Sequence, residues 1–316
     1  MAGDALTPRE RVGRAFNHEE PDRVPIDFGG KGSGLGLALY EELKDKLGVV
    51  SPTQVLDKRL GSAVVDESIL KRFHVDTRYV YLQSSAKWDP RPDPTDGSFF
   101  DEWGGKLRCP REGLYYDHVE HPIKDPSVKA IERHRWPEPE DASRISGLRE
   151  LARLYSESGY AVGTYLKGVW ETTWILRGFE NVLADLILNR KFLHSLLDKT
   201  TDILEGILSR LLDEVGDYLS FVCITCDLGT QVAPMLSKSA YEEFVRPREM
   251  RLFDLVKKKS PAKVAQHCCG SISELIPSII EAGVEILNPI QVSAAGMEPS
   301  RLKREYGNEL VFWGGS

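Results

Sequence analysis

The chain has no surplus of positive charge. Among its 316 residues, 41 Lys and Arg are set against 48 Asp and Glu, for a formal net charge of −7. No basic excess is therefore on hand to neutralise phosphates, and no nucleic acid is expected as a partner. Long apolar runs are missing too: no window approaches the roughly 18 residues of a membrane span. The opening Met1-Ala2-Gly3-Asp4 lacks the charged-then-apolar order of a signal peptide. No membrane partner is expected either. Cysteine is scarce and odd in number, five in all, which does not suit a disulfide framework. A reducing, cytoplasmic setting is expected, in which thiols stay available. Repeats and low-complexity tracts are absent. The one compact basic run, Lys257-Lys258-Lys259, closes a helical stretch, where cations suit the helix dipole and a solvated face.

What is present is ordinary for a folded core: 41% hydrophobic and 28% charged residues, within the range of globular proteins. Thr7-Pro8-Arg9-Glu10 is a capping box with Pro at the first helical position, so a short helix should run to about Asn17. Residues 24–28 read as a first buried strand. The glycine-rich Gly29-Gly30-Lys31-Gly32-Ser33-Gly34-Leu35-Gly36 follows; it matches neither the dinucleotide fingerprint nor the P-loop in full and reads as a flexible loop at a site's mouth. Further strands are expected at 77–82, 160–166, 218–225, 263–269, 284–289 and 309–313. Helices are expected at 37–47, 64–73, 180–188, 192–215, 239–259, 271–282 and 299–306. Strands alternating with helices point to parallel βαβ units. The interval 83–142 breaks the alternation, and a β-hairpin (99–108 with 113–120) reads as an insertion there, after the second strand.

That makes seven strands where a closed (β/α)₈ barrel needs eight. The expectation is one TIM-type barrel domain over 1–316 that lacks its last strand and helix, with truncation as the favoured cause.

The segment Gln266-His267-Cys268-Cys269-Gly270 carries the chemistry. On a strand, side chains alternate faces, so His267 and Cys269 point the same way, roughly 6–7 Å apart along the backbone. Cys268 points the other way, into packing. An imidazole beside a soft thiolate at a strand's C-terminal end favours Zn²⁺ among the common metals. The alternative is a buried histidine and a structural cysteine closing a loop.

These residues are set in a wider resemblance. Leu6-Thr7-Pro8-Arg9-Glu10-Arg11-Val12, Pro21-Asp22-Arg23-Val24-Pro25, Cys226-Asp227-Leu228-Gly229-Thr230-Gln231, His267-Cys268-Cys269-Gly270 and Ile286-Leu287-Asn288-Pro289-Ile290-Gln291 resemble the uroporphyrinogen decarboxylase superfamily. Within it they look most like the cobalamin-dependent methyltransferases acting on coenzyme M. The resemblance spans nearly the whole chain and implies a (β/α)₈ barrel. It also implies a choice of chemistry. Decarboxylases of the superfamily use no metal and grip a tetrapyrrole's carboxylates with an arginine-bearing N-terminal loop and a central aspartate. Here that loop carries Lys31 and no arginine, a point charge without the bidentate fork. Methyltransferases carry a His-x-Cys pair and a later cysteine. His267 and Cys269 match the pair, but no cysteine follows Cys269.

The resulting expectation is a zinc-dependent methyltransferase moving a methyl group between a corrinoid (or corrinoid protein, or a small methyl donor) and a thiol or similar acceptor. Alternatives are metal-free decarboxylation of a tetrapyrrole, and a non-catalytic corrinoid- or tetrapyrrole-binding module. His267 and Cys269 are the expected metal ligands. Asp227, at a strand end where barrels place working residues, is a third ligand, a partner orienting His267, a general acid/base, or merely a turn residue. Glu171 is a second mouth-facing carboxylate. Lys31, Tyr165, Asn288 and Gln291 are expected to bind substrate, with Trp170 a further candidate pocket residue. Cys223 and Cys226 should face opposite sides of their strand, which leaves Cys226 unassigned. His118 and His121, in the insertion, read as exposed. A homodimer is among the expected assemblies.

Overall fold

The computed structural model describes residues 6–88, 91–110, 113 and 115–315. Six strands pair in chain order into one parallel sheet: β1 (Thr77–Tyr79), β2 (Ala161–Lys167), β3 (Phe221–Thr225), β4 (Lys263–His267), β5 (Ile286–Asn288) and β6 (Val311–Phe312). Parallel neighbours need crossover connections. Between β2 and β3 these are Val169–Arg177, Phe179–Leu188 and the 26-residue Arg190–Val215. Arg246–Lys259, Ile276–Glu281 and Pro299–Tyr306 serve the later strands.

Alternation along the strands creates two cores. Val162, Leu166, Val222, Ile224, Val264 and Leu287 turn outward and merge with Leu193, Leu197, Leu204, Leu208 and Leu211 of the long helix. Tyr165, Phe221, Cys223, Ala265 and Ile286 turn inward and form a separate cluster with Phe16, Tyr79 and Trp313 against it. The sheet is strongly curved. Laid flat, β2 and β6 would stand about 19 Å apart, yet Trp313, just past β6, has its ring centroid 6.2 Å from Tyr165 and 5.2 Å from Phe221. This is a TIM-like α/β architecture.

Residues 24–28 form no ladder. They run beside β1, where Asp76 N–H donates to the Ile26 carbonyl at 2.9 Å. The Ile26 N–H turns instead to the Asp76 carboxylate at 2.7 Å, and Pro25 has no N–H to give. The expected first strand is therefore corrected to an extended segment. Its anchor is Arg11 on the capped helix Pro8–Phe16, buried between Asp22 (2.6 Å) and Asp76 (2.7 Å).

The insertion is also corrected. Phe99–Phe100, Lys106–Arg108 and Asp117–Glu120 form a three-stranded antiparallel sheet rather than a hairpin, because Gly104, at φ +82°, reverses the chain within the first expected limb. An additional hairpin, Gln54–Asp57 with Ser62–Val64, precedes β1. No described helix is long and apolar enough to cross a membrane.

Candidate metal centre

The sheet's C-terminal edge brings the site together. Strand register sets Lys167 beside Thr225, Thr225 beside His267, and His267 beside Asn288. Four inward-facing side chains thus stand in one row, at the end of the sheet where barrels carry chemistry. Beyond β4 the alternation continues: Cys268 is fully buried in the outer core, while His267 and Cys269 stay half-exposed on the inner side.

Asp227, His267 and Cys269 offer ligand atoms that all lie within 4.8 Å of one another. His267 Nε2 is 3.5 Å from Cys269 Sγ and 4.0 Å from Asp227 Oδ1. Tetrahedral coordination at zinc bond lengths separates nitrogen from sulfur by about 3.5 Å, so the pair has the right spacing for a shared ion. The imidazole is also correctly presented. Asn288 Nδ2 donates to the Trp313 carbonyl at 3.0 Å, which leaves Asn288 Oδ1 to accept from His267 Nδ1 at 2.6 Å. That bond protonates Nδ1 and leaves the Nε2 lone pair facing the cluster. A nitrogen, a thiol sulfur and a carboxylate oxygen form a donor set that suits zinc. Burial pushes the Cys269 thiol up to about 12, with the Asp227 charge adding to it. Metal binding here must therefore displace a proton.

The surrounding groups position this set. Asp227 Oδ1 accepts from the Cys269 N–H at 2.8 Å, and Gln291 Oε1 accepts from the Gly270 N–H at 2.8 Å. Glu171 uses both oxygens, one on Thr225 Oγ1 (2.6 Å) and one on the Asp227 N–H (3.3 Å). Burial and the nearby Asp227 raise its pKa. Gln291 thus satisfies loop backbone.

Sequence reasoning missed two cations. Lys167 and Arg59 line the same cavity as Lys31, Tyr165, Asp227 and His267, and neither has an ion-pair partner among the described residues. Burial and Arg59 push the Lys167 ammonium down. Lys167 was legible in principle, as the next inward position after Tyr165, one residue past the expected strand 160–166. Arg59 was not, because it arrives from the unexpected hairpin. Lys31 sits 3.8 Å from Asp57 and over the Tyr81 ring. Tyr165 presents a buried hydroxyl that no hydrogen bond satisfies. Gly32 closes over it, and a Cβ there would lie 2.2 Å from the Tyr165 hydroxyl and 3.3 Å from Asn288 Oδ1. At Gly32 the segment is thus a close-fitting roof that leaves no room for a side chain.

Other expectations are corrected. Trp170 takes the commoner role of an aromatic residue, fully buried in the outer core rather than lining the cavity of Tyr165. His118 is packed, its Nε2 2.9 Å from Asp101, and His121 Nδ1 meets the Ile175 carbonyl at 2.7 Å; neither is an exposed side chain. Cys223 and Cys226 do face opposite sides as expected, in the inner and outer cores respectively.

A family model described as Uroporphyrinogen decarboxylase (URO-D) matches residues 104–293. No curated protein matches the sequence. Among solved structures, a methyltransferase from Methanosarcina mazei superposes with a TM-score of 0.58 at 14% identity, over 90% of this chain and 76% of that one. At that identity the likeness is one of fold.

Proposed function

The chain belongs to the uroporphyrinogen decarboxylase family, and from that premise we propose that it is a zinc-dependent methyltransferase, passing a methyl group between a corrinoid and a small anionic thiol. The observation that carries this reading is the Asp227–His267–Cys269 cluster, with an imidazole lone pair held toward a sulfur at 3.5 Å. Bound zinc would supply a Lewis acid that lowers the pKa of a thiol, so that a thiolate exists at neutral pH.

The chain's own residues supply the rest. Asn288 fixes the His267 tautomer. Glu171 holds the backbone at Asp227, and Asp227 in turn holds the backbone at Cys269, so the donor atoms share one rigid frame. Arg59 and Lys167 receive the acceptor's negative charge. The cavity they line encloses about 160 Å³, below the roughly 300–1,000 Å³ of sites for larger ligands. A short thiol fits; a tetrapyrrole would not fit inside. In this reading the corrinoid would approach from the mouth, carried by its own protein.

The test is methyl transfer from methylcobalamin to 2-mercaptoethanesulfonate and to uncharged 2-mercaptoethanol, with and without zinc. Zinc-dependent transfer that prefers the anionic thiol, and loses the preference in Lys167→Met, supports the assignment. Conversion of uroporphyrinogen by metal-free protein would replace it with the decarboxylase reading.

A further inference from the structure

A second cavity lies outside this site, between the inserted antiparallel sheet and the segment 134–138. It encloses about 520 Å³, within the roughly 300–1,000 Å³ typical of small-molecule sites. Its walls are Trp88, Phe100 and Trp136, and Phe100 is 54% exposed. Both indole N–H groups are already engaged, Trp88 with the Phe100 carbonyl (2.9 Å) and Trp136 with the Ile131 carbonyl (3.0 Å). The rings therefore have only their faces to offer.

Most of the polar lining is engaged as well. Arg144 grips Glu102 through two bonds of 3.0 Å, Lys87 pairs with Glu138, and Ser85 donates to Asp141. Asp101 accepts from the Trp103 and Gly105 N–H groups and meets His118. Two lining groups remain. His134 Nε2 is buried with no hydrogen-bond partner, which is costly unless something fills that role. Arg135, exposed at the rim, has no ion-pair partner among the described residues. Among the described residues, Arg135 is the lining cation that no carboxylate answers, and it stands beside flat apolar walls.

We infer that this cavity binds a planar aromatic acid, with its ring against Trp88, Phe100 and Trp136, its carboxylate on Arg135 and a polar ring substituent on His134. An arginine fork matches a carboxylate in plane, and a ring seated there covers the exposed face of Phe100. The inference stands apart from the metal centre and survives if the methyltransferase reading fails.

The probe is 6-hydroxy-2-naphthoate, titrated calorimetrically into the full chain, with 2-naphthol as the analogue lacking the carboxylate. Saturable one-to-one binding is expected, weakened about tenfold or more for 2-naphthol, for Arg135→Gln and for Phe100→Ser. Both substituted side chains are exposed, so the variants should fold. His267→Ala should bind the probe as the parent does. No saturable heat up to millimolar probe, or binding unchanged in both Arg135→Gln and Phe100→Ser, would overturn the inference.

Discussion

Two faces of the same strand ends make opposite use of similar residues. Toward the outer core, Cys226, Gln266 and Cys268 are fully buried around Glu249. Glu249 accepts from the Tyr241 hydroxyl and from Gln266 Nε2, each at 2.8 Å, and its charge is also felt by Cys226. Toward the cavity, Asp227, His267 and Cys269 alternate with them, half-exposed, their donor atoms facing one another. Burial raises both thiols, Cys268 well above the ordinary range and Cys269 to about 12. Thiol acidity therefore does not separate the faces. Neighbours do: Cys268 is sealed in the outer core near Glu249, whereas Cys269 has an imidazole lone pair at 3.5 Å and the Asp227 carboxylate in the same cluster. The outer set holds the strand ends together, and the inner set turns its nitrogen, sulfur and oxygen atoms toward one another.

That contrast can be broken in order of expected effect. His267→Ala should lose bound zinc, and methyl transfer should fall by more than about 100-fold, with little change in melting temperature; metal analysis and activity on one preparation check both. Glu249→Ala should do the reverse. It strands buried donors, so chemical denaturation should show a loss of about 2–4 kcal/mol, while zinc remains stoichiometric. Asn288→Ala releases the His267 ring, and competition with a chelator should show zinc affinity lower by about 10–100-fold.

The smallest effect concerns pH. Burial raises the Glu249 carboxyl above its ordinary value of 4.5, so the folded chain holds a proton that the unfolded chain releases. Its contribution to stability is full below pH 4.5 and is lost as pH rises through the folded-state value. Glu249→Gln has no such proton, so parent-minus-variant melting temperature should decline as pH is raised from 4.5. A flat difference would show that the outer face carries no such coupling.

The fold was legible where periodicity was strong. The order of strands between helices placed an expected strand over each of the six in the parallel sheet, and Thr7 and Glu10 marked the first helix. It was illegible where one side chain replaced a ladder: nothing in Val24-Pro25-Ile26 announces that Asp76 will take the Ile26 N–H. The hairpin Gln54–Asp57 with Ser62–Val64 was also missed: it stands outside the alternation of strands and helices, and Ser62–Val64 adjoins the expected helix 64–73. At the site, the two-residue spacing set His267 and Cys269 on one face because alternation persists past the end of β4. Cys268, between them, packs outward by the same rule. Arg59 and the Asn288–Trp313 link depend on contacts distant in the chain, which local spacing does not encode.

The central claim is a mixed donor set containing a single sulfur. Zinc K-edge absorption spectroscopy on protein purified without added thiols tests it most directly. One sulfur scatterer with nitrogen and oxygen neighbours, the sulfur vanishing in Cys269→Ala and persisting in Cys268→Ala, is the predicted result. Two or more sulfurs in the coordination shell, or a chain that takes up no zinc, would contradict it.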